Sequence, residues 1–292
     1  MSLEFTPVII IGAGRSGTNM LRDTLCKSPG FGTWDCDEIN PIWRHGNTHL
    51  PNDHFDESHA RAEVRRFIRS AFKKQWEASG KPDYLVEKTC ANSLRVPFIE
   101  AIFPEAKFLY LVRNGADVSA SASKRWRGEM ELPSVPYYWS KIKYTPLLDL
   151  PLYLWRYIES RVDIILKRQQ HLSYWGPQFE GLTEIKPGTP LLEICAHQWA
   201  ACVDASDRSF NKIDQNRWMK LKYEELVHNP QAEFKKIHQF LGNQINGETL
   251  KSTLTEVSSK SVGKANKTLN TMPPSVTSIL ESPMRLHGYT TS

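Results

Sequence analysis

Residues 12–19, Gly-Ala-Gly-Arg-Ser-Gly-Thr-Asn, gather a cation, two hydroxyls and an amide side chain in one glycine-rich stretch. The β-branched run Val8 to Ile11 stops at Gly12. An amphipathic segment from Met20 to Lys27 follows, with Met20, Leu21, Thr24 and Leu25 on one face. That order reads as buried strand, tight loop and helix. Backbone N–H groups and a helix N-terminus then converge on one point, which attracts phosphate or sulfate.

Three chemistries fit the spacing. Gly12, Gly14 and Gly17 match G-x-G-x-x-G, the Rossmann-type dinucleotide fingerprint of an NAD(P)-dependent oxidoreductase, and Asp35 or Asp37 lies roughly where a ribose-binding acid is expected. Gly12 to Thr18 also has the length of a nucleoside-triphosphate loop, but Thr18 stands where the lysine belongs. Without that ammonium on the β- and γ-phosphates, ATP or GTP hydrolysis is disfavoured. In the third reading Arg15, Ser16, Gly17, Thr18 and Asn19 wrap a tetrahedral oxyanion directly, which a dinucleotide loop working through bare backbone does not need. A second constellation bears on the choice. Lys107 to Val112 reads as a buried strand ending in Arg113-Asn114-Gly115-Ala116-Asp117, and Ser121 follows eight residues after Arg113. A strand end rarely needs a charge, and an arginine there with a serine two helical turns on can grip a second phosphate.

Two anion grips at two strand ends resemble the sulfotransferases that use 3′-phosphoadenosine 5′-phosphosulfate (PAPS), whose donor carries a 5′-phosphosulfate and a separate 3′-phosphate. Glu87-Lys88-Thr89 before Cys90 is similar to the Glu-Lys-Thr-Pro segment of the family's glycan-modifying branches, with cysteine in the proline's place. Leu221-Lys-Tyr223-Glu-Glu-Leu226, followed by Asn229-Pro230 and Phe240-Leu-Gly242, is similar to a late strand–helix element. Ser261-Val-Gly263-Lys264 resembles the basic loop that closes over the donor. The motifs run in family order from residue 8 to about 265, closest in style to the glycan, tyrosyl-protein and bacterial branches.

The resemblance implies in-line transfer of a sulfuryl group to a hydroxyl or amine, with adenosine 3′,5′-bisphosphate leaving, a carboxylate base and no metal. Fixed cations and amides then stabilise the charge that develops. Arg15 stands where the family usually has lysine, beside the leaving phosphate; it keeps the charge but does not donate a proton. Gly14, Ser16, Gly17, Thr18 and Asn19 would hold the 5′-phosphate, Arg113 and Ser121 the 3′-phosphate with Gly263 and Lys264, and Tyr223 would lie near the adenine. Glu38, after the expected second strand, takes the place of the family's glutamate base, with Asp35 and Asp37 as rivals. Lys88 resembles a lysine that contacts the transferred group. Two other classes stay open: the oxidoreductase, which leaves Arg113, Ser121 and Lys264 unexplained, and a non-catalytic nucleotide-binding module, suggested by Arg15 and Cys90.

These residues need rigid elements behind them. Tyr84–Val86, Lys107–Val112 and Trp218–Tyr223 read as strands, and 60–76, Arg95–Phe103, Gly115–Trp126, Leu191–Ile213 and Gln231–Leu241 as helices. Alternation of the two implies an α/β fold of three layers, a mostly parallel sheet with helices on both faces around a P-loop-like nucleotide-binding core. Residues 127–190, rich in proline and aromatics and helical near 152–170, read as an insertion or lid shaping the acceptor site; 258–292 read as a loop covering the donor, and a tail. The whole, 1–292, is expected to be a single domain. His45, His49, His54 and His59 lack metal-site spacing and read as exposed or near the acceptor pocket.

The 292 residues, 40% hydrophobic and 24% charged, are of ordinary globular composition, and a net charge of +5 does not mark a nucleic-acid binder. Five scattered cysteines without C-x-x-C suit a reducing compartment. With no membrane-spanning apolar run, and a first strand beginning within ten residues of Met1, the expectation is a cytoplasmic protein unless an N-terminal anchor precedes this chain. The acceptor is a sugar, a peptide, a lipid or a small alcohol.

Overall fold

Five parallel strands form one sheet: β1 (Thr6–Ile11), β2 (Phe31–Gly32), β3 (Tyr84–Lys88), β4 (Lys107–Val112) and β5 (Trp218–Lys222), in the order β2-β3-β1-β4-β5. The computed structural model describes residues 3–126, 143–146, 149, 176–186, 188–257 and 272–290. The helices are α1 (Thr18–Leu25), α2 (Asn40–Arg44), α3 (Ala62–Ala78), α4 (Val96–Ile102), α5 (Gly115–Trp126), α6 (Leu191–Phe210), α7 (Tyr223–His228), α8 (Pro230–Leu241), α9 (Gly247–Thr253) and α10 (Pro274–Leu286).

The central strand explains its own composition. In β1, Thr6-Pro-Val-Ile-Ile-Ile11, all but the first residue are buried, because β3 and β4 flank it and both faces are covered. Ile9 and Ile11 face one layer with Leu85, Phe108 and Tyr110, against Trp43, Phe72, Phe98 and Phe103 from α2, α3, α4 and the turn after it. Val8 and Ile10 face the other with Val86, Leu109 and Leu221, against Leu21 and Leu25 of α1, Leu226 of α7 and Phe234 of α8. Side chains alternate along a strand, so one run of apolar residues serves two cores. In α3 the buried residues Val64, Ile68, Phe72 and Trp76 recur every four, the stripe of a helix laid on a core.

The strand order places the site. From β1 the chain runs to β2 and β3 on one side, then crosses to β4 and β5 on the other. The loops leaving β1 and β4 therefore diverge at neighbouring carboxyl ends, where a parallel sheet opens a crevice for ligands.

Two elements differ from the sequence reading. The last strand stops at Lys222, and Tyr223 opens α7 instead of closing the strand. The turn into helix brings Glu224 into the first turn, where an acid complements the helix dipole. The tail is not all coil. Val276, Leu280 and Met284 repeat every four residues, and α10 lays them on the core shared by α5 and α6, with Pro274 in its first turn. Of the expected insertion at 127–190, the helical stretch near 152–170 lies outside the described residues.

Candidate active site

The anion loop is strained where its chemistry sits. Arg15 has φ 71° and Gly17 φ 95°, both left-handed. For an arginine that conformation costs on the order of 1 kcal/mol and persists only where the surroundings impose it. Here Arg113 Nη1 donates to the Arg15 carbonyl at 3.3 Å, and Arg15 Nε donates to Ser121 Oγ at 3.0 Å. Gly17 is obligatory for a second reason: a Cβ on it would lie 2.4 Å from the ring of Tyr223. No side chain caps α1, so the first-turn N–H groups after Gly17 lack intrahelical acceptors. Ser16 is 1% exposed, and its hydroxyl has no partner among the described residues. A buried hydroxyl without a partner is costly; beside uncapped amides it marks a place for an acceptor-rich ligand.

Two further guanidinium groups, those of Arg113 and Arg125, act on the Arg15 of this loop. Burial, followed by the nearby Arg125 and Arg113 charges, lowers the Arg15 pKa. Arg113, at the carboxyl end of β4, stacks over the Tyr223 ring at 4.3 Å and lies 3.6 Å from Asp117 in α5. This concentration of guanidinium groups at two adjacent strand ends favours an anion there.

The acids lie across the crevice, and the structure sorts them. Asp35 turns outward to Lys143, at 2.7 Å, and to Tyr144. Asp37 Oδ1 accepts from Asn19 Nδ2 at 2.8 Å and from Lys88 Nζ at 3.0 Å. Burial opposes its charge, yet Lys88, Arg22 and Asn19 hold its pKa below the ordinary value. Glu38 Oε1 accepts from Lys88 Nζ at 3.0 Å and from the Cys90 amide at 3.2 Å. The Cys90 thiol also hydrogen-bonds to the Glu38 side chain, which is 27% exposed.

The end of β3 is a clamp on these acids. Lys88 is buried; burial alone would depress its pKa, but Glu38 and Asp37 raise it, so the ammonium stays charged. Thr89 Oγ1 accepts from the Ile39 amide at 3.2 Å and donates to Glu87 at 2.6 Å, while Asn92 donates to the other Glu87 oxygen at 2.7 Å. Burial pushes the Glu87 carboxyl up to about 7 despite the Thr89 hydrogen bond. Each residue from Glu87 to Cys90 thus helps to fix Glu38 or the backbone beside it. Thr18 Oγ1 and Cys90 Sγ, 4.0 Å apart, join the anion loop to this clamp.

The structure therefore brings together Gly14, Arg15, Ser16, Gly17, Thr18, Asn19, Glu38, Lys88, Arg113, Ser121 and Tyr223 around one crevice. Gly263 and Lys264 lie outside the described residues. The histidines do not converge: His45 bonds Asp149 at 2.7 Å and packs on Phe67, and His59 bonds Asp56 at 2.8 Å. Among the described residues no group of three or more His, Cys, Asp or Glu could hold a metal ion. Sequence reasoning missed Arg125, Thr89 as an acceptor, and Glu224, whose Oε1 accepts from the Asn114 amide at 3.1 Å. Only Glu224 had a signal, an acid directly after Tyr223 at the start of a helix.

Residues 7–138 match the model of the sulfotransferase family. No curated protein matches the sequence. The fold is similar to that of a sulfotransferase domain from the curacin biosynthetic pathway, at 14% identity and a TM-score of 0.56 over 99% of each chain. A sulfotransferase from Alicyclobacillus acidocaldarius aligns at 16% identity and a TM-score of 0.51, over 99% of this chain and 98% of that one. A mouse sulfotransferase complexed with PAP aligns at 13% identity and a TM-score of 0.50, over 98% of this chain and 85% of that one. At these identities the likeness is one of fold.

Proposed function

From a chain whose residues 7–138 match the sulfotransferase family and whose parallel sheet is that of the family's fold, we propose a transferase that moves a sulfuryl group from PAPS to a hydroxyl or amine. The observation that carries this reading is the shared crevice: the anion loop bonds directly to the acid loop through Asn19 and Asp37, at 2.8 Å. An electrophile held by the first would face a base held by the second.

The residues present suit the donor. The partnerless Ser16 hydroxyl, the uncapped first turn of α1 and the converging guanidiniums call for an anion with many acceptor oxygens. When bound, PAPS supplies a sulfuryl group on a phosphate leaving group. Arg15, Ser16, Gly17, Thr18 and Asn19, with the Gly14 backbone, hold the 5′-phosphate and neutralise the charge it gains. Arg113 and Ser121 hold the 3′-phosphate, joined by Gly263 and Lys264, and Tyr223 borders the adenine. A dinucleotide reading accounts for the glycines but gives Arg113 and Ser121 no task.

Glu38, part-exposed beside the anion loop, accepts the acceptor's proton. Lys88 orients Glu38 through its 3.0 Å ion pair. Arg15 stays charged and stabilises the leaving group by its field, without acid assistance. No helix among the described residues is long and apolar enough to cross a membrane. The five cysteines are free thiols, which suits the reduced cytoplasm. The acceptor belongs to the sugar, peptide, lipid or small-alcohol classes, and the charge pattern does not call for nucleic acid. Incubation with sulfur-labelled PAPS and a panel of these acceptors tests the reading. Labelled product with stoichiometric adenosine 3′,5′-bisphosphate is expected; hydride exchange with NADH instead would overturn it.

A further inference from the structure

The far end of the chain reaches the back of the site. After α10, His287 is buried with Nε2 2.9 Å from Asp207 Oδ2, and Gly288 turns the backbone at φ 71°. Tyr289 is thereby laid along the carboxyl end of β4, its ring 5.6 Å from Lys222 Nζ. Its hydroxyl donates to Glu224 Oε2 at 2.7 Å and lies 3.4 Å from the Val112 carbonyl. The other Glu224 oxygen accepts from the Asn114 amide at 3.1 Å. Val112 and Asn114 are the two neighbours of Arg113, so the backbone on either side of that arginine is tied to one carboxylate–phenol pair. In front, the Arg113 side chain rests on Tyr223 and reaches the Arg15 carbonyl.

We propose that Tyr289 is a positioning residue for the donor site: its hydroxyl fixes Glu224, Glu224 fixes the Asn114 amide, and together they hold Arg113 where it takes the donor's 3′-phosphate. The inference rests on the donor reading above. Its content is that recognition of the 3′-phosphate depends on a residue that never touches the nucleotide. Glu224 is confined by two neutral donors, the Asn114 amide and the Tyr289 hydroxyl. Without the phenol, one Glu224 oxygen loses its donor, the Asn114 tether slackens, and Arg113 is freer to shift toward Asp117, 3.6 Å away.

The test compares two probes, adenosine 3′,5′-bisphosphate and adenosine 5′-monophosphate, which differ only in the 3′-phosphate. Calorimetric titration of the full chain gives the ratio of their affinities. In Tyr289→Phe, which keeps the ring and its packing, the bisphosphate is expected to weaken about five-fold, the loss of one net hydrogen bond, with the monophosphate unchanged. In an Arg113→Ala background the same substitution is expected to leave the ratio as it is, because the tyrosine acts through the arginine. Equal weakening of both probes would overturn the proposal in favour of a merely structural role, as would an unchanged ratio in Tyr289→Phe. Additive losses in the double variant would overturn it too. Should the wild-type protein not prefer the bisphosphate at all, the donor reading fails and takes this inference with it. A thermal unfolding midpoint within a few degrees of wild type confirms that each variant is folded.

Discussion

In the proposed reaction Glu38 and Arg113 have opposite jobs, base and phosphate grip, and substitutions separate them. Glu38→Gln keeps the size and the hydrogen bond to Cys90 but cannot take a proton. Turnover of labelled sulfate is expected to fall roughly 100- to 10,000-fold, with bisphosphate affinity within two-fold of wild type. Arg113→Ala is expected to raise the donor KM roughly ten-fold or more, the worth of a charged hydrogen bond, in an initial-rate titration. Glu87 gives a pH signature. Its pKa of about 7 stands above the ordinary 4.5, so between those values the folded state holds a proton that the unfolded chain has released. The contribution of this group to stability is fullest below about pH 4.5 and declines as pH rises to about 7. Glu87→Gln should flatten that decline in urea unfolding compared at about pH 5 and about pH 7.5. Arg15, Arg113 and Ser121 were legible in the sequence because charged and hydroxyl residues at strand ends have few purely structural uses. Asp35, Asp37 and Glu38 were not separable there, since one turn carries all three; it took Lys143 and Tyr144 to draw Asp35 outward and Lys88 to gather the other two.

The loop between β1 and α1 works only against α7. Tyr223 fills the space in which a Gly17 side chain would stand, and supports Arg113 on its ring face. Gly17→Ala combines a left-handed φ with that collision, and is expected to cost roughly 2–4 kcal/mol in denaturant unfolding. In a Gly17→Ala, Tyr223→Ala double variant the collision is relieved and part of the stability returns, but nucleotide binding should not, because Arg113 has lost its platform. The alternation that revealed β1, α1, β4 and α5 was plain from periodicity. The β5–α7 junction was not, because Tyr223 continues the apolar pattern of the strand and only its packing on Gly17 makes it a helix start. Nor was α10, which falls in the stretch read as loop and tail and carries Pro273 and Pro274 at its entrance and Pro283 inside it.

Parallel order and the crossover at β1 make the crevice a property of the sheet, and this much followed from strand–helix alternation. Which loops meet there did not, since no local pattern tells residues 12–19 that they will face 113 and 223. Ligand linkage reads the assembled site. Adenosine 3′,5′-bisphosphate at about 100 times its Kd should add about 2.7 kcal/mol. In a chain of this size that is a rise of several degrees in Tm. NADH and ATP at the same concentration should give little, and a larger shift with either would contradict the donor assignment. The wall that Tyr223 builds against Gly17 also has a consequence in time. Ribosomes add roughly 5–20 residues per second, so Gly17 waits on the order of tens of seconds for the ring of Tyr223 that completes its pocket. A nascent chain therefore carries the anion loop long before it can hold an anion. A nucleotide site built on this loop is complete only once Tyr223 has been made.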